Sequence, residues 1–120
     1  MLTYITRKKI MISLKIVLLI LVLHWLSDFV LQTDWMAKNK STSNKALGLH
    51  ILVYSIPFLV IGWKFALFNG VLHFGVDYVT SRMSKKFYEK GDIHNFFVVI
   101  GFDQVLHYSM LFTLYYLGVR

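Results

Sequence analysis

The stretch Ile10–Asp34 reads IMISLKIVLLILVLHWLSDFVLQTD. Between Lys15 near its start and the closing Gln32-Thr33-Asp34, its only ionisable side chains are His24 and Asp28. A run of roughly 20 apolar residues is long enough to cross a bilayer as a helix. His24 and Asp28 stand four residues apart, close to one helical turn, so they share a face of that helix. Ionisable groups in such a span are costly and face protein or a water-filled cavity rather than lipid.

The pattern recurs as His73/Asp77 and, reversed, as Asp103/His107, so that the three pairs use three of the chain's 5 histidines. Each of these pairs also lies inside an apolar stretch. Of the 120 residues, 57% are hydrophobic and 17% aromatic, only 16% are charged, and the mean hydropathy is +0.58. A soluble domain of this size carries more polar surface, so the composition predicts a membrane protein. The expected fold is all-α, an integral membrane bundle of four transmembrane helices forming a single domain over residues 1–120. The predicted spans cover about 10–31, 46–63, 66–83 and 95–118. Pro57 falls inside the second, where a kink is expected. Arg7-Lys8-Lys9 before an apolar run resembles a signal peptide, but the run is too long and lacks a small-residue cleavage site. It reads as an uncleaved first span.

With no cysteine in the chain, disulfides and thiolate metal sites are excluded. The formal charge of +7 would suggest nucleic acid in a soluble protein. Here the basic residues sit in connecting segments (Lys38, Lys40 and Lys45; Arg82, Lys85, Lys86 and Lys90), so no nucleic acid is expected. The predicted partner is a bilayer with anionic head groups, with a homo-oligomer as a further expectation. Arg7, Lys8, Lys9, Lys15, Lys64 and Arg120 nearly balance these charges on the other side, so charge leaves orientation open. The expected location is the inner cell membrane, as a multi-pass protein.

Antiparallel spans put the ionisable groups of all four helices into one half of the bundle. Asp28 and His50 fall roughly 5–6 Å from the loop-side ends, Asp77 about 8–9 Å, and His24, His73 and Asp103 about 10–15 Å. His107 lies about 18 Å in by the same count. Asn69, His73, Asp77 and Ser81 form a slowly winding stripe on the third span, as His24, Asp28 and Gln32 do on the first. Imidazoles and carboxylates suit zinc best, with iron or manganese as alternatives, and helical bundles build such sites from facing helices. Haem is not expected, since axial histidines need no aspartate on each helix.

The predicted metal ligands are His24, Asp28, His73, Asp77, Asp103 and His107. His50 is a further ligand or general base and, with Asp28 and Asp77, the predicted catalytic group. Asn69, Gln104, Gln32 and His94 are candidates for orienting ligands or substrate. The leading reading is a metal-dependent hydrolase acting on a membrane-borne substrate. The alternative is a non-enzymatic ion or proton conductor, or a phage-type membrane-permeabilising protein, with a structural His/Asp network.

The strings His24-Trp25-Leu26-Ser27-Asp28-Phe29-Val30-Leu31-Gln32 and Gly101-Phe102-Asp103-Gln104-Val105-Leu106-His107 resemble a known family. So do His50 opening the second span and the HxxxD at His73/Asp77. The family is the bacterial and phage membrane family catalogued as domain of unknown function 3307. The resemblance spans nearly the whole chain. It implies a multi-pass membrane protein and brings no reaction with it.

Overall fold

The computed structural model describes residues 12–120, so Arg7-Lys8-Lys9 and the start of the first predicted span lie outside the described residues. The described residues form five α-helices: α1 (Leu14–Trp25), α2 (Asp34–Asn39), α3 (Asn44–Ser55), α4 (Trp63–Glu89) and α5 (Ile93–Tyr116). Two irregular helical segments extend this set. A π-helical turn, Leu26–Val30, continues α1, and a 3₁₀ turn, Ile56–Val60, continues α3.

Local sequence explains the boundaries. Ser13, Thr33, Ser43 and Asp92 each accept a hydrogen bond from a backbone N–H in the first turn of the helix that follows, at 3.1–3.3 Å. These are favoured N-cap residues. Pro57 enters the 3₁₀ turn near its start, where its missing N–H costs little. Between α4 and α5, Gly91 adopts φ +72°, and the Gly91 and Asp92 amides bond to the Tyr88 and Phe87 carbonyls at 3.0 and 2.9 Å. This left-handed stop reverses the chain within three residues.

Pairings across the helices give the topology. Asp28 meets His50, and Tyr54 meets His24, so α1 and α3 run antiparallel. His50 meets His73, and Tyr54 meets Asn69, so α3 and α4 do too. Asp77 meets His107, and Thr80 meets Asp103, which sets α5 against α4. Gln104 closes the ring onto His24 and Asp28. Close approach of α4 to α3 uses Gly70, where an added Cβ would lie 2.5 Å from Ser55 Oγ.

The expected four transmembrane helices are corrected by this structure. Among the described residues only α5 is long and apolar enough to cross a membrane. The first apolar run is divided, with α1 ending after 12 residues at the π turn. The second stops at Val60, and Asn44–Val60 is too short to qualify. The third, α4, is 27 residues long but carries Arg82, Lys85, Lys86 and Glu89 in its last two turns. Apolar length in the sequence overstates span length, because caps, turns and charges cut three of the four runs.

The interior is divided in the same way. At one end Ile20, Leu23, Tyr54, Phe58, Phe65, Ala66, Leu111 and Leu114 form a compact apolar core. Beside it lies a layer of buried polar groups that includes four of the histidines and three aspartates. Burial of so many ionisable groups without partners would be prohibitive, so their mutual arrangement holds the information about function.

Candidate metal centre

The helices α1 (with its π turn), α3, α4 and α5 build the polar layer, each for a local reason. The π turn carries an i to i+5 bond, Leu31 N–H to Leu26 C=O at 2.9 Å, and buries Ser27 and Asp28. Such widened turns occur often at functional sites. On α3 the four-residue spacing of His50 and Tyr54 places both inward. On α4 the stripe Asn69, His73, Asp77 and Ser81 is wholly buried, as are Asp103 and His107 on α5.

Four of these side chains meet at one point. Asp28 Oδ1 lies 3.1 Å from His50 Nε2 and 3.4 Å from His73 Nε2. Asp77 Oδ2 lies 3.3 Å from each of the same two nitrogens. The two nitrogens are themselves 3.4 Å apart. Donors arranged tetrahedrally at 2.0–2.1 Å from a zinc ion stand about 3.3–3.4 Å from one another. Five of the six edges of the Asp28–His50–His73–Asp77 tetrahedron therefore have close to the required length. Asp28 Oδ1 has no hydrogen-bond partner despite its burial and its nearby imidazoles. It points between them, towards the space they share.

His107 adjoins this group, with its Nε2 3.1 Å from Asp77 Oδ1 and 3.0 Å from Asp103 Oδ1. Its ring stacks on that of His73 at 3.8 Å, and Tyr54 stacks on His73 with the same separation. The His73 imidazole is thus held in a slot. The Nδ1 atoms of His50, His73 and His107 are buried without a partner, so all three rings direct their Nε2 atoms at the carboxylates.

His24 is placed differently. Its Nε2 is 2.7 Å from Gln104 Oε1, and its Nδ1 is 3.1 Å from the Tyr54 hydroxyl. A carbonyl oxygen only accepts, so Nε2 donates and Nδ1 accepts the hydroxyl proton. Both nitrogens are engaged, and Asp28 Oδ2 is further off at 3.5 Å. Gln104 then donates through Nε2 to Asp28 Oδ2 at 3.3 Å and to Asp103 Oδ2 at 3.1 Å. Asn69 donates to Tyr54 at 3.2 Å, which completes a chain from Asn69 through Tyr54, His24 and Gln104 to the carboxylates. Among the other expected positions, Gln32 lines the adjoining cavity with a buried, unpartnered Oε1. His94 is exposed in the first turn of α5 and does not join the cluster.

Three contributors escape a reading based on histidine and aspartate spacing. Tyr54 was detectable as the residue four after His50. Thr80, whose hydroxyl donates to Asp103 Oδ1, lies three residues after Asp77. Lys40 carries no local signal, since it sits in a polar connection among other lysines. Its Nζ reaches 3.2 Å from Asp77 Oδ2. Burial opposes its charge, but the Asp77 and then the Asp28 carboxylates outweigh this and hold its pKa above the ordinary 10.5.

Asp28, Asp77 and Asp103 also form the floor of a cavity of about 600 Å³. Lys38, Lys40 and Lys85 line it with Ser41, Ser84 and Thr80, while Phe29, Phe96, Val99 and Ile100 supply apolar wall.

These buried groups could hold a metal ion. The donor set suits one: two neutral imidazoles and two carboxylates match zinc, iron or manganese. The model of the family described as protein of unknown function (DUF3307) matches residues 16–119, and the chain belongs to that family. It is the family that the HxxxD strings resemble. No curated protein and no solved structure matches the chain.

Proposed function

We propose that this member of the DUF3307 family is a metal-dependent hydrolase that acts on a membrane-borne substrate. The observation that carries the reading is the near-tetrahedral spacing of Asp28 Oδ1, Asp77 Oδ2, His50 Nε2 and His73 Nε2. Zinc is the first choice of ion, with iron and manganese next. A bound divalent ion supplies Lewis acidity and lowers the pKa of a coordinated water to about 7. In this reading His50 is a ligand rather than the general base. His24, Gln104, Tyr54 and Asn69 hold the ligands in orientation, as outer partners do in metal enzymes.

The cavity supports the choice of substrate. Its floor is the carboxylate cluster, its lysines suit an anionic head group, and its aromatic and aliphatic wall suits an acyl or prenyl chain. The outside of the molecule supports a membrane setting. Leu14, Val60, Trp63, Val71, Phe97 and Leu117 are all more than 60% exposed, and α5 is only 17% buried over its most apolar window. Apolar surface on this scale marks contact with a membrane or a partner. Lys38, Lys40 and Lys85 at the cavity favour anionic head groups.

The test is metal-dependent turnover. Full-length protein in detergent, loaded with zinc or manganese, is incubated with mixed micelles containing phospholipids. Hydrolysis that is lost on chelation and in Asp77→Asn supports the reading. Bound metal without turnover of acyl esters or phosphoesters would leave the metal centre and remove the hydrolase. The Lys40–Asp77 ion pair favours a second reading, a purely structural network neutralised by lysine. That reading predicts no bound metal and no loss of folding on chelation.

A further inference from the structure

We propose that the site holds two divalent ions, with Asp28 and Asp77 bridging them. The proposal rests on the metal-centre reading above and extends it to a second position. Asp28, Asp103 and His107 form a second donor group, with one ligand atom from each and all three atoms within 4.8 Å of one another. Asp28 belongs to both groups.

Asp77 links the groups as well. Its Oδ2 faces His50 and His73 at 3.3 Å, whereas its Oδ1 faces His107 at 3.1 Å. One carboxylate therefore presents its two oxygens to two sets of imidazoles. His107 Nε2 lies 3.0 Å from Asp103 Oδ1, again near the edge of a metal-centred tetrahedron. Gln104 ties the remaining oxygens of Asp28 and Asp103 together, and Thr80 holds Asp103 from the other side. The arrangement has terminal ligands His50 and His73 at one position and His107 and Asp103 at the other.

Charge bears on what a second ion would do for the substrate. Three buried carboxylates and Lys40 leave a net negative cluster if the imidazoles are neutral, and one divalent ion cancels it. With a second ion the site becomes positive and faces the cavity through Asp28, Asp77 and Asp103. Two ions about 3.5–4 Å apart are the usual means of clamping a phosphoryl oxygen pair. The substrate class that fits is a phosphate ester with an apolar chain.

Metal content and magnetic coupling test this without assuming activity. Purified full-length protein is equilibrated with manganese, freed of excess ion and measured by elemental analysis and electron paramagnetic resonance. Two ions per chain with an exchange-coupled spectrum are expected, and Asp103→Asn is expected to bind one ion with an uncoupled spectrum. One ion in the wild type, unchanged in Asp103→Asn, would overturn the second position and leave the first intact. No ion at all would overturn both. The wild-type spectrum decides the matter even if Asp103→Asn fails to fold.

Discussion

At the residue scale, Lys40 is the most informative side chain that the His/Asp pattern did not reveal. Its ammonium occupies the flank of Asp77 that a metal ion would share. It acts as a tethered cation that limits repulsion among the carboxylates when no ion is bound. Lys40→Met, which keeps the length and removes the charge, is expected to tighten metal binding at least several-fold in competition titrations with a chromogenic chelator. Weaker binding would show that Lys40 supports the metal state instead. His24 gives a contrasting expectation. Because both ring nitrogens are spent on Tyr54 and Gln104, His24→Gln should bind metal stoichiometrically with reduced affinity, whereas His73→Gln should lose it. Loss of outer partners of metal ligands typically costs 10–100-fold in affinity or activity. Equal losses in both variants, by elemental analysis, would make His24 a ligand.

At the element scale, the turns and caps decide where the pairs are presented. Gly91 ends α4 in a left-handed conformation, and an L side chain there costs about 1–2 kcal/mol. Gly91→Ala should lower the midpoint of thermal unfolding accordingly. Gly75, in the middle of α4 with open space around its Cβ position, should behave oppositely. Gly75→Ala is expected to stabilise by about 0.5–1 kcal/mol. Asp92, the cap of α5, gives a pH signature. Its side-chain and backbone hydrogen bonds with Asn95 lower its pKa below the ordinary 3.8. A carboxyl group with a depressed folded pKa stabilises the fold above its unfolded value, and that contribution fades as pH falls through the folded value. The difference in melting temperature between wild type and Asp92→Ala should therefore be constant near neutrality and shrink below about pH 4. A difference independent of pH would mean that the cap acts without its charge.

The same scale explains what could be read from sequence. The four-residue pairs are visible as a pattern, and each pair does occupy one buried helix face. The convergence of α1, α3, α4 and α5 follows from antiparallel order alone. The breaks are less visible. Nothing in Leu26-Ser27-Asp28-Phe29-Val30 announces a π turn, although the turn buries both Ser27 and Asp28. Tyr54 and Lys40 enter the site through tertiary contacts that spacing does not encode.

At the scale of the whole molecule, the distribution of polarity is partly inverted. Histidines and aspartates fill the interior beside the apolar core, while leucine, valine, phenylalanine and tryptophan cover much of the outside. Composition indicated this apolar excess, but it did not give the number of helices able to span a bilayer, which is one among the described residues. The surface predicts that the purified chain enters the detergent-rich phase on phase separation of a non-ionic detergent. Recovery in the aqueous phase as a monomer would require another explanation for the exposed apolar side chains.

A metal centre built from Asp28, His50, His73 and Asp77 would keep its ion through purification. Its most direct test is the metal content of purified full-length protein after equilibration with zinc, manganese or iron and removal of the excess. Tightly bound ion in at least one-to-one ratio is expected for the wild type, and its loss in a folded Asp77→Asn variant. Wild-type protein that is folded and retains none of the three metals would contradict it.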